Sequence, residues 1–142
     1  MKWGQYILTL VALAAVGCAS GSLVGSLPVV PDPPHAATVV VMRQYNFEGS
    51  GVAPTITIDG LATYELGVSE HVAIPVAPGE RLVGLLLRRS LSNDERASVK
   101  IRAEAGRTYY VLMALVPGRM AEITESEARE IMATTKALGG QR

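Results

Sequence analysis

The sequence predicts an all-β fold: an antiparallel two-sheet β-sandwich of seven to eight short strands with one C-terminal helix. Three observations predict it. Residues 55–89 read as four apolar runs parted by turn residues, and the first, Thr55-Ile56-Thr57-Ile58, alternates with the period of a half-buried strand. The flanking runs, 38–44 and 98–116, are parted by turn signals and not by helical segments, which points to antiparallel neighbours. A helix signature begins only at Thr124, near the end of the 142-residue chain. A domain of about 100 residues buries roughly 65 % of its unfolded surface, enough for one core.

Residues 1–17 have the layout of a secretory signal: Lys2 as a minimal basic start, an apolar run from Tyr6 to Val16, then small residues. The run is too short to span a bilayer, which takes about 20 apolar residues. Ala15-Val16-Gly17-Cys18 resembles the bacterial lipobox, with Ala15 where Leu is commonest. That resemblance implies that Cys18 is lipidated and becomes the first residue of the processed chain, a covalent lipid being the one prosthetic group expected. Several acyl chains, at ~0.8 kcal/mol per buried methylene, make such an anchor essentially permanent. Ala19, not Asp, follows the cysteine, which by resemblance to enterobacterial sorting favours the outer over the inner membrane. The expected site is the bacterial envelope, facing the periplasm.

Residues 18–37 are rich in Gly, Ser and Pro and lack a regular period. They read as a tether of up to roughly 60 Å if extended at ~3.1 Å per residue. Leu23, Val24, Leu27, Val29 and Val30 leave open the alternative that this segment packs on the domain or lies along the membrane.

The domain proper is expected over 38–138, with 139–142 a tail. Residues 38–44 form its first strand, and Arg43 marks the exit to solvent. Tyr45, Asn46 and Phe47 open a loop that is a candidate binding site if its aromatics are exposed, and a cap on the core if they are not. Asp59-Gly60 supplies the positive φ of a two-residue hairpin. Val72, Ile74 and Val76 alternate, and 77–80 turn with Pro-Gly at their centre. Residues 81–87 are apolar at nearly every position, which suits a central strand buried on both faces. Residues 90–95 read as a polar loop, 98–104 as a half-exposed strand with Lys100 and Arg102 on the wet face, and 108–116 as a second central strand. Met120 to Ile123 add an edge strand. Thr124-Glu125-Ser126-Glu127 fits a capping box, and Ala128, Ile131, Met132, Thr135 and Leu138 continue a helical stripe until Gly139-Gly140 stops it.

Beyond the leader, the order VVVMRQ (39–44), ITIDG (56–60), EHVAIPVAPGERLVG (70–84) and AGRTYYVLM (105–113) resembles a family of bacterial envelope lipoproteins with a small β-sandwich domain of unknown function. It is similar also to the wider PEGA and transthyretin-like sandwiches, which share the Pro-Gly turn. The resemblance spans about 39–116 and implies a fold and a compartment. It implies no activity and no functional residues.

Charge and residue chemistry narrow the function. Removing Lys2 with the leader leaves 12 basic against 13 acidic residues, which excludes a general nucleic-acid binder. One cysteine permits no internal disulfide. His35 and His71 lie far apart, without a metal-ligand pattern; no nucleophile elbow or phosphate loop occurs, and Asp59 serves a turn. The chain reads as a non-enzyme with no metal. Residues 81–107 hold seven basic residues, of which Arg88, Arg89, Lys100 and Arg102 make a candidate basic face for lipid headgroups or anionic glycan. The leading expectation is a non-catalytic binding or structural module for an envelope protein partner, using a sheet edge or the loop around Asn46. A lipid or anionic-glycan binder is the first alternative and a small hydrolase the second. Sugar stacking is disfavoured, since the processed chain has five aromatics and no tryptophan.

Overall fold

In the computed structural model, which describes residues 20–89 and 92–139, the chain is a two-layer β-sandwich with one helix on its outside. The strands are β1 (Ser22–Leu23), β2 (Ala37–Arg43), β3 (Thr55–Ile58), β4 (Leu61–Glu65), β5 (Glu70–Val76), β6 (Gly79–Arg89), β7 (Ser92–Ala103), β8 (Thr108–Ala114), β9 (Arg119–Ile123) and β10 (Lys136–Ala137). A 3-10 turn at Pro33–His35 precedes β2, and helix α1 spans Glu125–Met132. One sheet has the order β1-β4-β3-β6-β7 and the other β10-β5-β2-β8-β9. Among the described residues no helix is long and apolar enough to cross a membrane.

The main core lies between the sheets. Val39, Val41, Ile56, Ile58, Leu66, Val72, Ile74, Val83, Leu85, Ile101, Val111 and Met113 all pack there. A second cluster forms where α1 lies over the outer face of the second sheet, burying Ala128 and Ile131 against Val40 and Met42. This explains why 39–42 is apolar at every position: β2 is covered on both faces. The same cover lets β8 be apolar on both sides, with Val111 and Met113 inward and Tyr110 and Leu112 towards the helix. Among the described residues no helix covers the outer face of the first sheet. Val83 and Leu85 of β6 are buried between the layers, while Leu82, Leu86 and Leu87 are only half-buried, so β6 is not the doubly buried strand its composition suggests.

Local sequence fixes several elements as expected. Asp59 and Gly60 both take positive φ, +51° and +81°, closing the β3–β4 hairpin with the two-residue turn that matches strand twist. At the start of α1, Thr124 accepts from the Glu127 N–H while the Glu127 carboxylate accepts from the Thr124 N–H at 2.9 Å, a complete capping box. The helix ends six residues sooner than its stripe suggests. The Thr134 hydroxyl and N–H both turn back to the Ile131 carbonyl, and such hydroxyl groups compete with helical backbone bonding. The chain then runs out as β10, donating from Lys136 to Ser69 and from Leu138 to His71.

Three further features differ from the sequence reading. The second sheet is mixed: β2 and β8 run parallel from Thr38↔Thr108 to Arg43↔Met113, and β10 runs parallel to β5. Turn-linked strands pair antiparallel only when they stay in one sheet. Here β3, β4, β6 and β7 belong to the other layer, so β8 returns to β2 through a crossover that leaves its direction free. Of the expected polar loop at 90–95, residues 92–95 are strand, since β6 and β7 pair from Gly79↔Ala103 to Arg89↔Ser92, while 90 and 91 lie outside the described residues. Residues 20–36 are no free spacer. They lead along the edge of the first sheet, with Ser22↔Glu65 and Leu23↔Tyr64 paired and the amides of Val24 and Gly25 donating to Thr63. A Cβ on Gly21 or Gly25 would collide with the carbonyl oxygen of Glu65 or Ala62. These glycines permit close approach of two backbones and do not supply slack.

Candidate functional site

The strand directions gather one set of features at one end of the sandwich: the C-terminus of β2, the start of β5, the β8–β9 turn and the loop 44–54. Arg43 and Glu70 are cross-strand partners there. Arg43 is 2 % exposed, which corrects its reading as a solvent exit. Its guanidinium donates to the carbonyls of Val52 at 2.7 Å, Leu66 at 3.1 Å and Gly49 at 2.7 Å. Arg43 thus ties the 44–54 loop to the β4–β5 connection. Burial lowers its pKa, and the nearby Glu70 charge opposes that shift. The Glu70 carboxylate accepts from the Gly67 N–H and the Gly21 N–H, both at 2.7 Å, and from the Ser20 hydroxyl at 2.8 Å. Neither residue stands among the site residues read from the sequence, where Arg43 marks only a strand exit. A basic residue closing VVVMRQ and an acidic one opening EHVAIPV look like ordinary strand ends, and no local pattern says that they meet.

The loop that Arg43 secures presents its aromatics to water. Tyr45 is 68 % and Phe47 80 % exposed, and Asn46 is exposed between them. They do not cap the core. Asn46 Oδ1 accepts from the Glu48 N–H at 3.1 Å, and Gly49 packs against Leu115. A cavity of about 170 Å³ lies under this loop against Leu112 and Leu115. Its cationic wall is Arg43, whose guanidinium is taken up by backbone carbonyls. The pocket is built for shape and weak polar contact, not for an anion.

The opposite end carries a second cavity of about 260 Å³, rimmed by Leu27, Val29 and Leu61, with Ile58 and Thr63 inside. Val29 is 86 % and Leu61 70 % exposed. The Asp59–Arg81 ion pair at 2.8 Å borders it.

The candidate basic face is not drawn together. Lys100 and Arg102 are exposed on the outer face of the first sheet, but Glu80 lies between them, 3.4 Å from Lys100 and directly across from Arg102. Arg88 is exposed six residues further along β6 than Leu82, the partner of Lys100, a separation of about 20 Å at ~3.4 Å per residue. Arg107 pairs with Glu104 at 2.9 Å. The Arg89 side chain and all of Cys18 lie outside the described residues. His35 bonds Asp32 at 2.6 Å, and His71 shares a 2.7 Å hydrogen bond with Thr135. Among the described residues no group of three His, Cys, Asp or Glu side chains is placed to hold a metal ion.

No protein-family profile, curated protein or solved structure matches the chain.

Arg43→Met should cost about 3–5 kcal/mol, because it strips the carbonyls of Val52, Leu66 and Gly49 of their donor, and each buried polar group left unpaired costs about 1–3 kcal/mol. Phe47→Ala should stay within about 0.5 kcal/mol, as for an exposed side chain. Urea unfolding of both variants checks the contrast. His71 gives a pH signature. Burial lowers its pKa below the ordinary 6.5. Between the two values the unfolded chain binds a proton that the folded chain does not, so this contribution is full above about 6.5 and is lost as pH falls through the folded value. The urea midpoint should therefore fall from about pH 7 to pH 5, and fall less in His71→Gln.

Proposed function

We propose that the chain is a lipid-anchored lipoprotein of the bacterial envelope, facing the periplasm, whose sandwich is a non-catalytic module for binding an envelope protein. Supporting the anchor are the basic start, the eleven-residue apolar run and the lipobox-like Ala15-Val16-Gly17-Cys18. The observation that carries the reading is the position of Ser20. Two residues beyond the expected lipidated cysteine, the chain is already bonded to Glu70 at one end of the sandwich. A lipid there turns the opposite end towards the periplasm, and that end holds the exposed apolar rim of Leu27, Val29 and Leu61. Exposed apolar side chains around a concavity suit a protein partner.

A sheet-edge partner has less support. The β5 edge beyond His71 is uncovered by β10, but Pro75 interrupts it and removes a donor. The lipid or anionic-glycan alternative through residues 81–107 is weakened by the pairing of Arg81, Lys100 and Arg107 with acids.

Cys18→Ser should move the protein from the membrane to the soluble periplasmic fraction. A photo-crosslinking residue at Leu61 in the intact lipoprotein should give a discrete protein adduct. Membrane retention of Cys18→Ser would contradict the anchor, and adducts confined to lipid or glycan at position 61 would contradict the partner class.

A further inference from the structure

An extended residue spans at most ~3.6 Å, so the Cys18 backbone lies within ~7 Å of Ser20, which is itself fixed to Glu70. Since 20–36 run away from that end along the sheet edge, no slack separates a lipid on Cys18 from the domain. The same end carries the 44–54 loop. Phe47 and Tyr45 stand exposed on it, with Val52 and Val116 also exposed nearby. The loop is held rigid: Arg43 grips the carbonyls of Gly49 and Val52, and Gly49 rests on Leu115. Two aromatic rings are thus fixed in water, contributing nothing to the core, within reach of the expected anchor. Exposed Arg88, Arg119 and Lys136 lie at this end too, as does the exposed acid Glu48 of the loop. The other end is bordered by the Asp32–His35 hydrogen bond and the ion pairs Asp59–Arg81 and Glu104–Arg107.

We infer that the loop end of the sandwich rests on the lipid bilayer, with Tyr45 and Phe47 seated at the boundary between headgroups and acyl chains. This rests on acylation of Cys18, proposed above. Aromatic rings favour that depth, tyrosine because its body is apolar and its tip polar. The anchor supplies a high effective concentration, so a contact too weak to bind membranes alone suffices to set orientation. The domain then stands upright, with Leu27, Val29 and Leu61 at its distal end.

The test uses full-length lipoprotein purified from a bacterial envelope and reconstituted into phosphatidylethanolamine–phosphatidylglycerol vesicles. Nitroxide labels are placed through Phe47→Cys, Tyr45→Cys and, as the distal reference, Leu61→Cys. Intact mass reports whether Cys18 is acylated, and an acylated Cys18 does not take the label. The ratio of collisions with oxygen to collisions with a water-soluble nickel chelate should be severalfold higher at 47 and 45 than at 61. Acylated protein with equal ratios at all three sites would overturn the orientation while leaving the anchor intact. So would labels at 45 and 47 shielded from both reagents, which would mean that a protein covers them. An unacylated Cys18 in envelope-purified protein would remove the anchor and the orientation together.

Discussion

Arg43 and Glu70 occupy adjacent strands at one end of the sandwich, both withdrawn from water. Taking an ion out of water costs several kcal/mol even after relaxation, and the cost is offset only where each charge is fully bonded. Here the bonding is with backbone. Arg43 takes carbonyls from the 44–54 loop and from Leu66, and Glu70 takes amides from Gly67 and from the incoming Gly21. Segments with few apolar contacts of their own are thereby fixed to the strand frame. The exposed aromatics, the cavity beneath them and the entry of the chain all inherit their positions from this pair.

The layers themselves depend on burial alone. The second sheet is covered on both faces, by the first sheet and by α1, and it tolerates the parallel β2–β8 pair at its centre. Parallel strands are usually buried on both faces. Among the described residues the first sheet is covered on one face, and it is antiparallel throughout. The layers meet again at their edges, where β7 touches β9.

Much of this was legible in the sequence, for reasons that are local. The Asp59-Gly60 hairpin, the capping box at Thr124 and the alternation of Val72, Ile74 and Val76 depend on neighbours within a few residues. What was illegible depends on residues far apart. Arg43 looks like a strand exit until Gly49, Val52 and Leu66 supply its acceptors. Gly21 and Gly25 look like linker residues because glycine serves flexibility and close approach equally well, and only the backbone of β4 shows which applies. The direction of β8 was hidden because turn residues do not reveal whether the chain changes sheets. At the candidate site, the exposure of Tyr45 and Phe47 was one of two open readings, and Glu70 carried no signal at all. The basic run across 81–107 was visible as composition, but strand register distributes it over separate places and sets Glu80 between Lys100 and Arg102.

If the buried pair organises this end, the entry of the chain and the β4–β5 connection share one fastening although they lie far apart in sequence. Native-state hydrogen exchange of the Gly21 and Gly67 amides tests this most directly. In the wild-type protein both should be protected. In Glu70→Gln both should exchange markedly faster, together with Val24 and Gly25, while the Val83 and Leu85 amides of the β6 ladder keep their rates. A Gly21 amide that exchanges like free chain in the wild type, or is unchanged by the substitution, would contradict the account.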